Sequence, residues 1–398
     1  MKILILDEEF PFPLNSGGRI RGFNLASRLA RTNEVSYFAY GKNDSPGYRA
    51  FKEAGLRPIA VDHSLRRKSG PVFYIKLLAN LFSDLPYVVT SHYSHDFAVR
   101  LKQEIKANKP DLLYCAWSPY ASFFQEIGSV KKVIGTHNIE ATIWKRYYEN
   151  ESNPLKKWYI GGQYRKMLRF EKSVFGRADG VTAVSCEEAD QIRQMGDTRV
   201  ELVDNGVDPE FFAPGEITEK SNRLVFTGSM DWRPNQDAVF YFAHEIMPAL
   251  RDTRPDLKAV FVGRNPPPHV KALAETPGIE ITGTVDDVRS YISEAAVYIV
   301  PLRIGGGSRL KILEALAMKK AVVSTAVGAE GLEVTDNEQL LVARDTEEFV
   351  QKTVRLLDDH DLRERLGSNG RALVERRYGW DSLAEKLNGF LKSVAESQ

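Results

Sequence analysis

Short apolar runs alternate with amphipathic segments along the first half of the chain. The runs are rich in Val, Ile and Leu with almost no polar interruption, which is the pattern of strands buried on both faces of a parallel sheet. Two segments between them, Gly22–Arg31 and His95–Ala107, carry apolar residues at helical spacing. The alternation predicts a doubly wound α/β sheet. Its predicted strands are Ile3–Leu6, Val35–Ala39, Pro58–Val61, Leu112–Cys115, Val133–Gly135 and Val181–Val184.

The same alternation starts again in the second half of the chain. The segment before it, Asp208–Asn222, contains Pro209, Pro214 and Gly215, and it is predicted to link two domains. We expect two Rossmann-like domains facing a central cleft. The carboxyl ends of the strands of both sheets would then surround the cleft, and ligands bind at these ends in open parallel sheets. The predicted strands are Leu224–Thr227, Ala259–Val262, Ile279–Thr282, Val297–Val300 and Ala321–Ser324, and the predicted helices are Gln236–Leu250, Val285–Ala295, Leu310–Met318 and Thr346–Leu357.

Length and charge narrow the class of protein. At about 100–200 residues per domain, the 398 residues predict two domains. Lys and Arg total 54 against 53 Asp and Glu, for a net charge of +1. This balance excludes a typical nucleic-acid-binding protein and a disordered chain of high net charge. Cys115 and Cys186 are too few for a disulfide framework or a cysteine zinc site.

The sequence also predicts neither a membrane span nor a signal peptide. No apolar stretch approaches the ~18 residues of a membrane span. The apolar run after Met1 is short and ends at three acids, Asp7 to Glu9, which is unlike a signal peptide. We therefore expect a cytoplasmic protein.

A glycine pair follows the first predicted strand. Gly17 and Gly18 lie in the run Asn15–Arg19, just before a predicted helix. Paired glycines allow close approach of backbone to a ligand, and a helix N-terminus favours an anion. The run does not match GxGxxG, so it does not favour a nicotinamide cofactor. A plain flexible turn is the alternative interpretation.

A second candidate, Thr136–Glu140, directly follows the strand Val133–Gly135. His137 and Glu140 therefore lie at the edge of the sheet where ligands bind. His137 can donate a hydrogen bond to a sugar hydroxyl, and Glu140 can accept one from an acceptor hydroxyl. The alternative is a helix start, with Asn138 as the cap and Glu140 in the first turn.

The strongest candidate is the segment Gly305–Met318. Its three glycines can form an anion-binding nest, and Ser308 can cap the helix that follows. Arg309 and Lys311 then fall in the first turn, where the helix dipole disfavours cations by ~0.3–1 kcal/mol each. A phosphate-rich ligand explains both cations. Glu314 suits two ribose hydroxyls; a solvated helix of mixed charge is the alternative.

The whole chain resembles a family 4 glycosyltransferase, a member of the retaining GT-B group that uses nucleotide sugars. The resemblance implies a GT-B fold, with domain 1–207 on the acceptor side and domain 208–379 binding the nucleotide sugar. A C-terminal helix, 380–398, crosses back onto the first domain. The segments that carry the resemblance are Asn15–Ala30, Thr136–Glu140, Val184–Ser185, Val203–Asp208, Phe226–Ser229, Phe261–Gly263, Gly283–Val285 and Gly305–Gly331.

The resemblance also implies roles for single residues. Glu314 matches the second glutamate of the family's paired-glutamate motif and is expected to hold the ribose. Gly17 and Gly18 match the glycine loop over the diphosphate. His137 matches a histidine near the transferred sugar, and Val285 lies where family members bind the base through backbone groups.

Two departures from the family pattern concern the donor. Gly306 stands where the first glutamate of the motif is expected, eight residues before Glu314. Contacts to the sugar ring are then assigned to the backbone of the glycine run, including Gly306 and Gly307, or to Ser308.

The second departure is in the loop after Gly228, where the family has an Arg and a Lys for the diphosphate. Ser229 and Arg233 are candidate donor-binding residues, but Asn235 fills the lysine position. We therefore expect Arg309 and Lys311 to supply the charge for the diphosphate, and we predict these two, with His137, as the catalytic groups.

No metal is expected, because cations and backbone groups can stabilise the leaving diphosphate. The one Asp-x-Asp match, Asp359–Asp361, lies in a polar helical stretch and is predicted to be surface.

One region of the chain is locally basic. The segment Trp144–Asp179 carries nine Lys and Arg and four acids, for a local charge of +5, with aromatic residues between them. Arg66–Lys68 precedes a second apolar and aromatic stretch, Val72–Phe82. Basic helices with aromatic residues can lie on anionic membranes. The alternative is helices packed on the first sheet with basic outer faces. No recognition module accompanies the patch, so nucleic acid is not an expected partner.

These observations together predict a retaining, metal-independent hexosyltransferase. It moves a sugar from a nucleotide-diphosphate sugar to a glycan or lipid-linked glycan acceptor, in surface polysaccharide or glycoconjugate synthesis. It is predicted to be cytoplasmic, and peripheral contact with the inner face of an anionic membrane is the alternative that the basic region leaves open. The alternatives are a catalytically inactive GT-B-like partner subunit and a nucleotide-sugar epimerase of the same fold.

Overall fold

The chain divides into two compact units. The first is Met1–Asp204 together with Leu383–Gln398, and the second is Asn205–Ser382. Both borders lie three residues from the positions expected from the sequence, at 207 and 380. The computed structural model describes residues 1–14, 16–62, 70–215, 217–304 and 309–397.

The first unit contains a seven-stranded parallel sheet with the order β3-β2-β1-β4-β5-β6-β7. The predicted strands are all present, and their residues are almost entirely buried because helices cover both faces. Strand order reverses between β1 and β4, which is where open α/β sheets bind ligands. The strands are β1 Lys2–Glu9, β2 Glu34–Tyr40, β3 Arg57–Val61, β4 Leu112–Cys115, β5 Lys131–Gly135, β6 Gly180–Ala183 and β7 Val200–Leu202.

Polar side chains begin several helices of the first unit. Ser94, Asn153 and Ser185 each accept a hydrogen bond from a backbone N–H of the first turn that follows. A 3-10 segment, Ser118–Glu126, follows β4. The helices are α1 Gly17–Leu29, α2 Pro46–Glu53, α3 Pro71–Asn80, α4 Tyr87–His92, α5 His95–Asn108, α6 Glu140–Asn150, α7 Pro154–Phe175 and α8 Cys186–Met195.

The second unit contains a six-stranded parallel sheet with the order β10-β9-β8-β11-β12-β13. Its first strand begins at Lys220, so the last three residues of the predicted linker, 220–222, are strand rather than linker. The strands are β8 Lys220–Thr227, β9 Lys258–Val262, β10 Ile279–Gly283, β11 Ala295–Val300, β12 Val322–Thr325 and β13 Leu341–Ala343.

The helices of the second unit differ from two predictions. The predicted helix Gln236–Leu250 is two helices joined by a π-type turn, Phe242–Ile246. The predicted helix Val285–Ala295 is confirmed only over Arg289–Glu294: it begins four residues later than predicted, and Ala295 belongs to the next strand. Asp287 accepts a hydrogen bond from the backbone N–H of Arg289 (2.9 Å), where the helix begins, and the apolar run from Ala295 is buried in the sheet. The helices are α9 Arg233–Tyr241, α10 Met247–Thr253, α11 Pro268–Lys271, α12 Arg289–Glu294, α13 Leu310–Ala317, α14 Ala326–Ala329, α15 Thr346–Asp358, α16 His360–Leu373 and α17 Trp380–Ala395; Ala272–Glu275 is a 3-10 turn and Val374–Tyr378 a second π-type turn.

The last helix, α17, begins in the second unit and continues in the first from Leu383. In the first unit it is held at the β7 edge by an ion pair from Lys386 to Glu201 (3.3 Å) and by a hydrogen bond from Arg199 to the Ser393 hydroxyl (2.9 Å). Within the described residues, no helix is both long and apolar enough to cross a membrane.

Candidate functional site

His137 lies between β5 and α6, at the carboxyl edge of the first sheet. Burial, together with the nearby charge of Arg21, lowers the pKa of His137 to about 4. Arg21 is itself buried in α1, and its guanidinium donates to the carbonyls of Val203 (2.8 Å) and Asp204 (2.6 Å). At neutral pH His137 is therefore a neutral imidazole that can donate or accept a hydrogen bond.

Glu140 is the first residue of α6, and its carboxylate accepts a hydrogen bond from Trp117 Nε1 (2.9 Å). Asn138 does not cap this helix: Ile139 occupies the N-cap position, without a side-chain hydrogen bond. The helix start is satisfied by Glu171 of α7 instead.

Glu171 is a fully buried carboxylate that serves three donors. Its oxygens accept from the backbone N–H groups of Glu140 (3.0 Å) and Ala141 (2.9 Å) and from the Ser118 hydroxyl (2.9 Å). Burial raises the pKa of Glu171 to about 7 in spite of these bonds. The position of Glu140 is thus fixed by an acid thirty-one residues away in the sequence.

Gly17 and Gly18 are the first two residues of α1, not a loop before it. The predicted helix start at Gly22 is therefore five residues late. Ser16 is the N-cap residue but makes no side-chain capping bond. The first N–H groups of a helix have no intrahelical partner, so this glycine start presents donors that suit an anion.

In the second unit, Lys311 reaches the loop that follows β8. Its ammonium Nζ donates to Asn235 Oδ1 (2.7 Å) and lies 4.0 Å from the ring centroid of Phe226. The Asn235 amide also donates to the carbonyl of Ser229 (2.8 Å). A Cβ at Gly228 would stand 2.8 Å from both Lys311 Nζ and Asn235 Nδ2, so this packing requires glycine there.

The start of α13 differs from the predicted one. Arg309 is the N-cap residue rather than part of the first turn, and it makes no side-chain capping bond. Its side chain is only 6% exposed and pairs with Glu330 (3.2 Å). The predicted cap Ser308 and the donor candidates Gly306 and Gly307 lie outside the described residues. Of the two cations predicted for the first turn, Lys311 is the one found in it.

Lys311 and Glu314 are three residues apart on α13 and interact electrostatically. Burial lowers the pKa of Lys311 and raises the pKa of Glu314, and the charge of each partner opposes the shift of the other. Arg309 adds to the lowering of the Lys311 pKa. Among the described residues, the Glu314 carboxylate has neither a hydrogen-bond partner nor an ion-pair partner. We call Ser229, Asn235, Arg309, Lys311 and Glu314 the Lys311 cluster.

The side chain of Ser229 and the two predicted donor residues outside the cluster, Arg233 and Val285, have different surroundings. The Ser229 hydroxyl donates to Asp231 (2.5 Å) and accepts from Arg264 Nε (2.9 Å). Arg233 is the first residue of α9 and is exposed, and Val285 follows β10 and packs against the core. No hydrogen bond or ion pair among the described residues joins Arg233 or Val285 to the Lys311 cluster.

Two family models match the chain, one mostly in each unit. Residues 16–211 match Glycosyltransferase Family 4, and residues 221–359 match Glycosyl transferases group 1. The chain belongs to this glycosyltransferase family. The predicted family and the predicted α/β fold of the GT-B group are confirmed.

Two relatives and one solved structure are similar to this chain, over different shares of its length. A Klebsiella pneumoniae protein named "Uncharacterized 44.6 kDa protein in cps region" is 23% identical over 95% of this chain and 96% of its own length. The Staphylococcus aureus "Capsular polysaccharide biosynthesis glycosyltransferase CapM" is 30% identical over 30% of this chain and 33% of its own. The solved structure of Anabaena Alr3699/HepE with UDP and glucose has a TM-score of 0.64 and 14% identity, over 99% of this chain and 100% of that one.

Sequence reasoning about the glycosyltransferase missed the contacts that join its polar residues. Lys311 and Asn235 are 76 positions apart, and Glu171 and Ala141 are 30 apart, so only the fold brings each pair together. In the sequence, Glu171 is only one of the four acids of the basic segment Trp144–Asp179, and no local pattern indicated its role. No cluster of His, Cys, Asp and Glu able to hold a metal ion occurs within the described ranges. The Asp-x-Asp match begins with Asp359, which caps α16 through the N–H of Leu362 (2.9 Å).

Proposed function

We propose that the glycosyltransferase is a retaining, metal-independent hexosyltransferase. It transfers a sugar from a nucleotide-diphosphate sugar to a glycan or lipid-linked glycan acceptor, in the synthesis of a surface polysaccharide or glycoconjugate. The observation that carries this proposal is the Lys311 cluster at the carboxyl edge of the second sheet. There, one helix start holds a cation and, one turn later, a carboxylate beside a loop that requires glycine.

The donor binds to the second unit through two kinds of contact. Glu314 accepts hydrogen bonds from the two ribose hydroxyls, a role that its lack of a partner among the described residues supports. Arg309 and Lys311 bind the diphosphate, and Ser229 and Arg233 contribute from the loop after β8. Backbone groups near Val285 bind the base. Gly306, Gly307 and Ser308 keep their predicted role at the sugar ring.

In the family, a lysine follows the glycine of this loop; here Asn235 stands at that position. We propose that the ammonium of Lys311, from α13, takes the place of the missing lysine. Asn235 Oδ1 accepts a hydrogen bond from Lys311 Nζ at 2.7 Å, and Nζ also makes a cation–π contact with the ring of Phe226. The cation that other members supply from this loop is thus supplied by α13. This exchange keeps a positive charge beside Gly228 although the sequence has Asn at the expected position.

In the first unit, the helix start at Gly17 and Gly18 binds phosphate through its backbone N–H groups. His137 is neutral and donates a hydrogen bond to the transferred sugar. Glu140 accepts a hydrogen bond from an acceptor hydroxyl, in the orientation that Trp117 and Glu171 impose on it.

The reaction breaks the bond between the anomeric carbon and the diphosphate oxygen. The acceptor hydroxyl forms the new bond on the same face of the sugar, and its proton passes to the departing phosphate. Lys311 and Arg309 stabilise the negative charge that develops on the leaving group. This route uses no side chain as a nucleophile.

The names of two relatives support the proposed pathway. One is named for a cps region and another for capsular polysaccharide biosynthesis, although the second match covers a third of that relative. We assign the enzyme to the cytoplasm, in peripheral contact with the inner face of the membrane, where a lipid-linked acceptor would be presented.

The test combines donor binding with turnover. The protein is incubated with UDP-sugars and GDP-sugars, and the thermal shift and the release of nucleoside diphosphate are measured. We expect at least one donor to raise the melting temperature, and release to increase with acceptor. Binding without transfer to any glycan acceptor would favour the inactive partner subunit. Binding to no nucleotide sugar and no nucleoside diphosphate would refute the transferase.

A further inference from the structure

A group of large apolar side chains on the first unit is exposed. Helix α3 is apolar along most of its length, yet none of its described side chains from 73 to 79 is buried. Phe82, just after it, is 93% exposed, and Leu155 at the start of α7 is 81% exposed. We define the α3–α7 surface as the exposed side chains of Tyr74, Ile75, Leu78, Phe82, Leu155 and Trp158.

Polar contacts join the two helices that carry this surface. The Gln163 amide donates to Asn80 Oδ1 (2.8 Å), and Lys166 Nζ donates to the Asn80 carbonyl (2.6 Å). The aromatic ring of Phe73 meets that of Tyr87 edge to face, with centroids 5.8 Å apart. Helix α3 is thus attached to the unit through its C-terminal end and Phe73. The spacing of Tyr74, Ile75 and Leu78 places these three residues on one side of α3, and Phe82, two residues after the helix ends, continues the same spacing.

The helical segments that carry the surface have cations and no acids. Helix α3 has one cation, Lys76, and no acid. The first three turns of α7, 154–166, have four cations, Lys156, Lys157, Arg165 and Lys166, and no acid. Acids do lie nearby. The negative charge of Asp84 opposes the lowering of the Lys166 pKa by burial, and Glu149 and Glu151 precede α7.

We propose that the α3–α7 surface docks on an anionic lipid bilayer. Apolar residues with Trp and Tyr among them suit the boundary between headgroups and acyl chains. The exposed Lys76 and Lys156 on the same helices extend their charged ends to lipid phosphates. The inference deepens the peripheral contact proposed above, since it names the residues that make it.

The charge pattern argues against a second copy of the chain as the occupant. In a two-fold dimer the same surface occurs on both partners, so the cations of α3 and α7 would face the cations of the other copy. An anionic bilayer instead meets these charges with opposite charge.

The test measures cosedimentation with vesicles at low salt. We expect the wild-type protein to bind phosphatidylcholine vesicles that contain about 30% phosphatidylglycerol, and to bind pure phosphatidylcholine about tenfold more weakly. The double variant Leu78→Ser with Phe82→Ser should lose roughly tenfold in partitioning, and so should Lys156→Gln with Lys157→Gln. The matched controls are Val99→Ser, an exposed apolar residue on α5, and Lys52→Gln with Lys271→Gln, exposed lysines elsewhere.

Two results overturn the proposal. One is wild-type protein that fails to sediment with anionic vesicles, or variants that bind as well as the controls. The other is a wild-type dimer, seen by light scattering, that Leu78→Ser with Phe82→Ser converts to a monomer. Nucleoside diphosphate binding is measured separately without vesicles, so a failure of docking is distinguished from a failure of the proposed enzyme activity.

Discussion

The two units each place acids at the carboxyl edge of a parallel sheet, but they treat these acids differently. In the first unit, Glu171 accepts from two backbone N–H groups and a hydroxyl, and Glu140 accepts from an indole. In the second unit, Glu314 has no such donor among the described residues, and Lys311 is held by one amide oxygen. The first arrangement is satisfied within the unit, and the second is incomplete.

The difference separates residues that build a site from residues that bind a ligand. A buried polar group without a partner costs about 1–3 kcal/mol, so a fold retains one only where another function requires it. Glu171 therefore serves to orient the start of α6. Glu314 is the acid that the described residues leave without a hydrogen-bond donor, and Lys311 places a cation beside it.

The largest expected effect is on the cation of the second unit. Lys311→Met should lower kcat roughly 100–1000-fold, because we propose that this side chain donates to the leaving diphosphate. Steady-state transfer assays with the accepted donor measure it. Lys271→Met, an exposed lysine of the same unit, is the control and should leave kcat unchanged. A Lys311→Met enzyme within threefold of wild type would remove Lys311 from the reaction.

The next effect is on the stability of the first unit. Glu171→Ala leaves two N–H groups and the Ser118 hydroxyl unpaired, which should destabilise this unit by about 2–3 kcal/mol. For a unit of this size that is a fall in Tm of roughly 4–10 °C. Lys172→Ala, the exposed neighbour on the same helix, should change Tm by less than about 2 °C. Equal shifts in both variants would mean that the buried contacts of Glu171 contribute little.

Much of the fold could be predicted from the sequence, and the reason is the sheets. A strand covered on both faces must be apolar throughout, so runs such as Leu112–Cys115 identify themselves. The edge strands β7 and β13 were missed because they are three residues long and, in β7, only half-buried, with Glu201 in the middle. The helix predicted over Val285–Ala295 had the wrong bounds, because apolar spacing alone shows neither that the helix begins at Arg289 nor that Ala295 enters the sheet.

The candidate sites were predicted less completely, because their contacts join distant parts of the chain. The family pattern identified Asn235 as the residue in the lysine position and Lys311 as a compensating cation. The 2.7 Å bond between them depends on how α13 packs beside β8, which no local pattern records. Asn138 was a plausible cap by residue type, but Glu171 satisfies the same helix start from another helix.

A smaller effect is expected at the amide that holds Lys311. Asn235→Ala should weaken nucleoside diphosphate binding about tenfold, since it removes one hydrogen bond to a charged group and leaves the cation in place. Fluorescence or calorimetric titration measures the change. Asn369→Ala, an exposed asparagine on α16, is the control. Unchanged affinity in Asn235→Ala would show that Lys311 reaches the ligand without Asn235.

The smallest effect is a pH dependence in the first unit. Burial raises the pKa of Asp7 to about 7, although the Tyr37 hydroxyl and the Glu8 N–H donate to it. Between pH 4 and 7 the folded chain thus keeps a proton that the unfolded chain has lost, so stability falls as pH rises. Asp7→Asn cannot titrate, so we expect it to gain stability relative to wild type between pH 5 and pH 8, on the order of 1–3 kcal/mol because one pKa unit corresponds to about 1.4 kcal/mol. Melting curves at the two pH values measure this gain; a constant difference would contradict the raised pKa.

Calorimetric titration of UDP and GDP is the most direct test of the contrast between the two units. It is carried out on the wild-type protein, on Glu314→Ala and on Glu140→Gln, with Glu275→Ala as an exposed control in the second unit. We predict that one of the two nucleotides binds wild type, that Glu314→Ala weakens it at least roughly tenfold through the lost ribose hydrogen bonds, and that Glu140→Gln stays within about twofold, since Glu140 is assigned to the acceptor. Binding that survives in Glu314→Ala and is lost in Glu140→Gln would contradict the account.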